Sequence, residues 1–183
     1  MKLLQQAYQE AYEQAVLDGN EIHHSDKGTN HSYINVYEKI LEPYRNRKIN
    51  FLEIGVNKGY SMLLWQKYFT DSTFYGIDSQ DIAFYTKDYN YIVADINSSS
   101  YISEVLGDTM FDVIIDDGSH KIEDQVHALN LLYPRLKEDG LFVVEDVDNI
   151  DASKHLFEKY NPTIYDNREQ QNRWDDVLVI INK

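Results

Sequence analysis

Apolar positions at the start of the chain recur every three or four residues. Leu4, Tyr8, Ala11, Tyr12, Ala15 and Val16 are separated mostly by Gln and Glu. That spacing predicts an amphipathic helix over residues 1–17, stopped near Asp18-Gly19-Asn20. A polar loop from Glu21 to His31 follows, and a second helical pattern, Ser32 to Leu41, closes at Pro43. From Ile49 the period changes to short β-branched or aromatic runs, predicting strands over 51–54, 73–77, 91–94, 111–115, 141–144, 163–165 and 177–181. Between them lie helical patterns over 60–68, 99–106, 122–136 and 152–159, with a short turn after Asp81. Strands that alternate with helices predict an α/β fold: a doubly wound, mostly parallel seven-stranded sheet with helices on both faces. The last two strands are joined by the polar loop Asp166 to Asp176, which carries no helical pattern, so they are expected as an antiparallel C-terminal hairpin at the sheet edge. No repeat, low-complexity tract or linker interrupts the 183 residues, and a single domain is expected: a helical extension and lid over 1–47, and a core over 48–183.

Charge narrows the partners. There are 17 Lys and Arg against 31 Asp and Glu, a formal net charge of −14. Such a field repels nucleic-acid backbones and anionic membranes, so neither is expected as a partner, and small ligands and cations are favoured. The chain has no cysteine, which excludes disulfides, thiolate zinc sites and cysteine nucleophiles. No apolar run reaches the ~20 residues of a membrane span, and the N-terminus lacks a basic-then-apolar signal pattern, so a cytoplasmic address is expected.

In an open doubly wound sheet the ligand lies beyond the carboxyl ends of the strands, which directs attention to the residues that finish each one. The first strand carries Glu53 near its end and runs into Gly55 and Gly59, with Ser61 in the opening turn of the next helix. This G-x-x-x-G spacing lacks the third glycine of a dinucleotide loop and favours a cofactor without a pyrophosphate. Asp78 finishes the second strand about 20 residues on, where a carboxylate takes both hydroxyls of a ribose. Asp95 finishes the third and is placed to meet an adenine amino group; for both acids the alternative is a solvated loop carboxylate. The fourth strand runs into Asp116-Asp117-Gly118-Ser119-His120 and the fifth into Glu145-Asp146. Neighbouring strands lie ~4.8 Å apart, so Asp117, Glu145 and Asp146 would converge. Crowded carboxylates repel unless they hold a cation, and hard oxygen donors favour Mg²⁺. His120 lies within reach of that group, and histidine is the side-chain type suited to accept a proton near neutrality. Solvated acids and a surface histidine are the alternatives.

Leu52-Glu-Ile-Gly-Val-Asn-Lys-Gly59, Tyr75-Gly-Ile-Asp78, Val93-Ala-Asp95 and Phe111-Asp-Val-Ile-Ile-Asp116 together resemble class I S-adenosylmethionine-dependent methyltransferases with a Rossmann-like core. Asp-Asp-Gly-Ser-His followed by Glu-Asp, with Asp26-Lys27-Gly28 and His31-Ser32-Tyr33 upstream, resembles the metal-dependent macrocin- and mycinamicin-type sugar O-methyltransferases and the related cephalosporin-hydroxylase-like proteins. The resemblance implies transfer of a methyl group from S-adenosylmethionine, with Mg²⁺, to a hydroxyl of a small molecule, a sugar or glycosylated metabolite. It also implies that Glu53, Gly55, Gly59, Ser61, Asp78, Asp95 and Asp116 serve the cofactor, that Asp117, Glu145 and Asp146 bind the metal, and that His120, with Asp117, is catalytic. Two other classes stay open: a non-catalytic S-adenosylmethionine-binding or assembly module, and a nicotinamide-dependent oxidoreductase, which the missing glycine disfavours. The Tyr8 and Tyr12 stripe is either core or a subunit contact, leaving a homo-oligomer open. His23, His24 and His31 are either metal ligands or, in preference, incidental members of a flexible polar lid, and Arg168, Arg173 and Trp174 read as a substrate loop or a solvated turn.

Overall fold

The computed structural model describes residues 2–19 and 25–183. Seven strands, β1 (Asn50–Ile54), β2 (Thr73–Asp78), β3 (Asn90–Val93), β4 (Phe111–Asp116), β5 (Leu136–Val144), β6 (Thr163–Asp166) and β7 (Val177–Asn182), form one sheet in the order β3-β2-β1-β4-β5-β7-β6. β1 through β5 pair in parallel, whereas β7 runs antiparallel to both β5 and β6. The chain steps outward from β1 to β3 and then returns to lay β4 on the other side of β1. The order therefore reverses between β1 and β4, and the crevice that ligands use in such sheets opens there.

Side chains alternate across the pleat, and that alternation builds two cores. Phe51, Val113, Ile115, Val143 and Leu178 face one layer, made by α1 (Leu4–Leu17), α2 (Ile34–Leu41) and α3 (Tyr60–Tyr68). Leu52, Ile114, Phe142, Val144 and Val179 face the other, where α4 (Ser99–Leu106) and α5 (Ile122–Leu132) pack. Central strands buried on both faces read as near-continuous apolar runs, as β4 does between its two acids, Asp112 and Asp116, of which Asp112 is paired. Asp112 is buried and accepts from Lys137 Nζ at 2.7 Å, Arg47 at 3.2 Å and the Asn50 amide at 2.8 Å. Tyr8 is a core residue, its hydroxyl donating to the Ser25 carbonyl at 2.7 Å.

Several boundaries differ from the sequence reading. α5 stops at Leu132, not at residue 136, because Pro134 cannot donate to a helical ladder; Tyr133–Arg135 tightens into a 3-10 turn and Leu136 already belongs to β5. The helix expected over 152–159 is a single turn, α6 (Ile150–Ser153), followed by two 3-10 turns that put Phe157 into the core. The stretch after Asp81 holds no helix, and the β6–β7 loop contains one short turn of helix, α7 (Arg168–Gln171), whose first amide is capped by Asp166 Oδ1 at 3.2 Å. His23 and His24 lie outside the described residues. Among the described residues, no helix is long and apolar enough to cross a membrane.

Candidate active site

The hydrogen-bond ladder continues one residue past the strands and sets the heights of the site residues. Gly55 N donates to Ile77 O at 2.8 Å, Asp117 N to Ile54 O at 2.9 Å and Glu145 N to Asp116 O at 2.9 Å. Gly55 has φ +83°, and a Cβ there would stand 1.9 Å from the Asp117 carbonyl oxygen, so only glycine lets the two strand ends approach this closely. A cleft of about 960 Å³ opens above them. Of the residues singled out in the sequence, Gly55, Ser61, Asp78, Asp95, Asp117, His120 and Asp146 line it together. Glu53, Asp116 and Glu145 are buried behind the lining, and Gly59, in the left-handed region at φ +88°, starts α3 without reaching the cleft.

At one end of the cleft Asp78 accepts from the Asn57 amide on one oxygen (2.7 Å) and the Gln80 amide on the other (2.9 Å). A carboxylate has about four acceptor positions, so each oxygen keeps capacity for a ligand hydroxyl while the two loops are tied together. Asp95 is exposed and accepts from the Asn97 amide at 2.8 Å. Ile77, Ile82 and Ile96 add apolar lining to this part of the cleft, beside the polar Ser79, Gln80 and Asn97. A flat apolar group with polar edges fits such a lining.

The opposite end is acidic. Asp117, His120 and Asp146 each offer a ligand atom, all within 4.8 Å of one another. His120 Nε2 is 4.0 Å from Asp146 Oδ2, and both residues hold left-handed backbone, at φ 58° and φ 53°. Asp146 is pushed up to about 7, chiefly by burial and then by Asp117, while the Tyr33 hydroxyl, donating at 2.6 Å, pulls the other way.

Behind this end stands a group to which the sequence reading gave no role. Lys27 is fully buried, with its Nζ 2.6 Å from Asp117 Oδ2, 2.8 Å and 2.9 Å from the two oxygens of Glu145, and 3.7 Å from Glu53 Oε1. Burial alone would lower its affinity for a proton, but Asp117, Glu145 and Glu53 outweigh that and hold it well above the usual lysine range. Glu145 is raised by burial, against the pull of Lys27, and also accepts from the Tyr37 hydroxyl at 2.5 Å. Glu53 is pushed up to about 7 by burial, opposed first by Lys27 and then by hydrogen bonds from Ser61 (2.8 Å) and Trp65 Nε1 (3.2 Å). Asp116, buried with one carboxyl oxygen lacking a partner, is pushed up to about 8 by burial.

Tyr33 and Tyr37 lie four residues apart on one helical face and brace Asp146 and Glu145 with their hydroxyls. Tyr33 was marked in the sequence by the His31-Ser32-Tyr33 motif, whereas Tyr37 was not singled out and Lys27 sat in a stretch read as a polar lid. Within residues 25–33, Lys27, His31 and Tyr33 are buried while Asp26, Gly28, Thr29 and Asn30 are exposed, and His31 stacks on Tyr33 with centroids 4.7 Å apart. Trp174 is exposed, and Arg173 pairs with Asp175 at 2.6 Å.

A family model described as a methyltransferase domain matches residues 52–147, the stretch from β1 to the acids after β5. Among curated proteins, the chain is 36% identical over 135 residues to 8-demethyl-8-alpha-L-rhamnosyl tetracenomycin-C 2'-O-methyltransferase of Streptomyces olivaceus, covering 68% of this chain and 35% of that protein. It is 30% identical over 129 residues to demethylmacrocin O-methyltransferase of Streptomyces fradiae, covering 66% of this chain and 33% of the relative. Among solved structures, it matches the MycE methyltransferase from the mycinamycin biosynthetic pathway in complex with Mg, SAH and mycinamycin VI, at TM-score 0.61 and 28% identity, over 74% of this chain and 36% of that one. The chain thus spans about a third of the length of these relatives.

Proposed function

Because the chain belongs to the family of methyltransferase domains, we propose that it transfers a methyl group from S-adenosylmethionine to a hydroxyl oxygen of a small molecule, a sugar or glycosylated metabolite, with Mg²⁺ at the acidic end of the cleft. The observation that carries this reading is the division of one cleft into two ends: Asp78 and Asp95 beside apolar lining, and Asp117, His120 and Asp146 with ligand atoms within 4.8 Å of one another. The tetracenomycin and macrocin relatives, named as O-methyltransferases, and the MycE complex with Mg and SAH support the same class.

The residues present fit both groups. Asp78 retains acceptor capacity for a ribose diol, Asp95 stands at the far end for the adenine amino group, and Ser61 and the Gly55 backbone lie where the methionine part would rest. For the metal, Asp117 and Asp146 turn hard oxygen donors into the cleft, and Glu145 stands behind them, held by Lys27. A bound Mg²⁺ would hold the acceptor oxygen and lower its pKa. Everything else falls to the protein. Methyl transfer is an in-line displacement, so the cleft must align acceptor oxygen, methyl carbon and departing sulfur. His120 would take the hydroxyl proton at a ring nitrogen as the new C–O bond forms. Tyr33, donating to Asp146 Oδ1, fixes that carboxylate so that its other oxygen faces His120.

The cofactor assignment is tested by calorimetry with S-adenosylhomocysteine. Asp78→Ala removes charge-assisted hydrogen bonds worth roughly 1.5–3 kcal/mol each, and affinity should drop at least tenfold. Unchanged affinity would take Asp78 out of the site, and tight binding of NAD in its place would overturn the reading as a whole.

A further inference from the structure

Lys27 is the one residue of the described chain whose charged end faces carboxylates from three strands at once: Glu53 of β1, Asp117 after β4 and Glu145 after β5. Two of these, Asp117 and Glu145, are among the proposed metal ligands. Both oxygens of Glu145 lie within 2.9 Å of Nζ, and one of them also accepts from Tyr37. A carboxylate engaged in this way, with no exposed surface, has no free edge to offer a second cation. An ammonium and a divalent ion on the same oxygens would repel each other strongly in a poorly solvated site.

We propose that Lys27 is the resident counter-cation of the acid cluster and that a divalent ion binds by displacing its Nζ from Asp117 and Glu145. The inference rests on the metal reading above and goes beyond it by giving the site an internal competitor. The competitor is also part of the cleft wall. Lys27 is the middle residue of a 3-10 turn, Asp26–Gly28, and Ser25 and Asp26, just before it, line the cleft. The turn is wedged in place: a Cβ on Gly28 would stand 2.9 Å from the Tyr8 ring and 3.0 Å from Ile34. Its carbonyls anchor residues 29–33, Asp26 O accepting from the Thr29 and His31 amides and Lys27 O from the Tyr33 amide, each at 3.0 Å. Withdrawal of Nζ removes the buried end of this anchor. Metal entry therefore loosens the stretch of cleft wall that Ser25 and Asp26 form.

Two measurements test this. The first counts free Mn²⁺ by electron paramagnetic resonance in titrations of the wild-type chain and Lys27→Met, without cofactor, after circular dichroism has shown the variant folded. With the competitor gone, Mn²⁺ should bind the variant at least tenfold more tightly. Equal affinity overturns the proposal, and weaker affinity identifies Lys27 as a strut that positions the carboxylates. The second uses the wild-type chain alone and stands even where the variant does not fold. Amide exchange at Thr29, His31 and Tyr33 should accelerate when Mn²⁺ is added, and unchanged or slower exchange overturns the displacement. Absence of Mn²⁺ binding by wild type and variant alike is a different failure, which removes the metal reading itself. Tight wild-type binding that Asp146→Asn abolishes and Lys27→Met leaves unaltered removes only the inference about Lys27.

Discussion

His120 and Asp146 face each other across the acidic end from left-handed backbone, a conformation that costs an L-residue other than glycine roughly 1–2 kcal/mol. Strain of this kind persists where the surroundings fix it, and here the Tyr33 hydroxyl donates to Asp146 while the loop Gly118–Lys121 is tied by Ser119, whose hydroxyl donates to Asp124 at 2.6 Å. If His120 is the general base, His120→Ala should lower turnover by about 10²-fold or more and flatten the acid limb of the pH–rate profile, with the affinity for S-adenosylhomocysteine little changed. A variant that keeps the wild-type profile would assign His120 to the loop's structure. At this scale the sequence was legible where a residue ends a strand. Asp78, Asp95, Asp117 and Asp146 were found because strand ends are where ligands bind, and all four line the cleft. Lys27, noted only as part of the Asp26-Lys27-Gly28 motif, and Tyr37 were given no role, because their partners are contributed by strands about a hundred residues away.

At the scale of elements, the chemistry depends on how closely the ends of β1 and β4 approach. Gly55 permits that approach, with its left-handed φ and no Cβ to meet the Asp117 carbonyl. Gly55→Ala should cost at least about 1–2 kcal/mol from backbone strain alone, and relief of the contact must push Asp117 away from its register with Ile54. Both a lower thermal midpoint and weaker S-adenosylhomocysteine binding are expected, and a variant as stable and as tight-binding as wild type would show that the loop has another route. Elements with a strong period were readable nearly to the residue, as with α3 and α4. The errors fall where a period continues past a physical stop. Apolar Leu132, Tyr133 and Leu136 extend the helical pattern of α5, but Pro134 ends it, and Leu136 is taken up by pairing with Phe111. No pattern marks the 3-10 turns after α6, since one turn offers too few positions to show a period.

For the whole molecule, the buried acids make stability depend on pH with a definite sign. Glu53 is held to about 7 by burial, against an ordinary carboxylate value of 4.5. Between those values the folded chain keeps a proton that the unfolded chain releases, so stability falls as pH rises through this window and levels off above it. Asp146, held to about 7, and Asp116, held to about 8, act in the same direction. The thermal midpoint of the metal-free protein should therefore decline from about pH 5 to about pH 8. Glu53→Gln should remove a share of that slope worth at most roughly 3 kcal/mol over the interval. A midpoint that climbs across the interval would contradict neutral buried acids, and an identical slope in the variant would exclude Glu53 as a contributor.

The contact between Lys27 and Glu145 joins residues 118 positions apart. Synthesis runs from the N-terminal side, so Lys27 leaves the ribosome long before the Glu145 side chain to which it donates. The central strand supplies Glu53 early, while Asp117 and Glu145 emerge only after most of the sheet has been synthesised. When the domain closes as a unit, the acids of three strand ends therefore meet on a lysine that was synthesised before all of them.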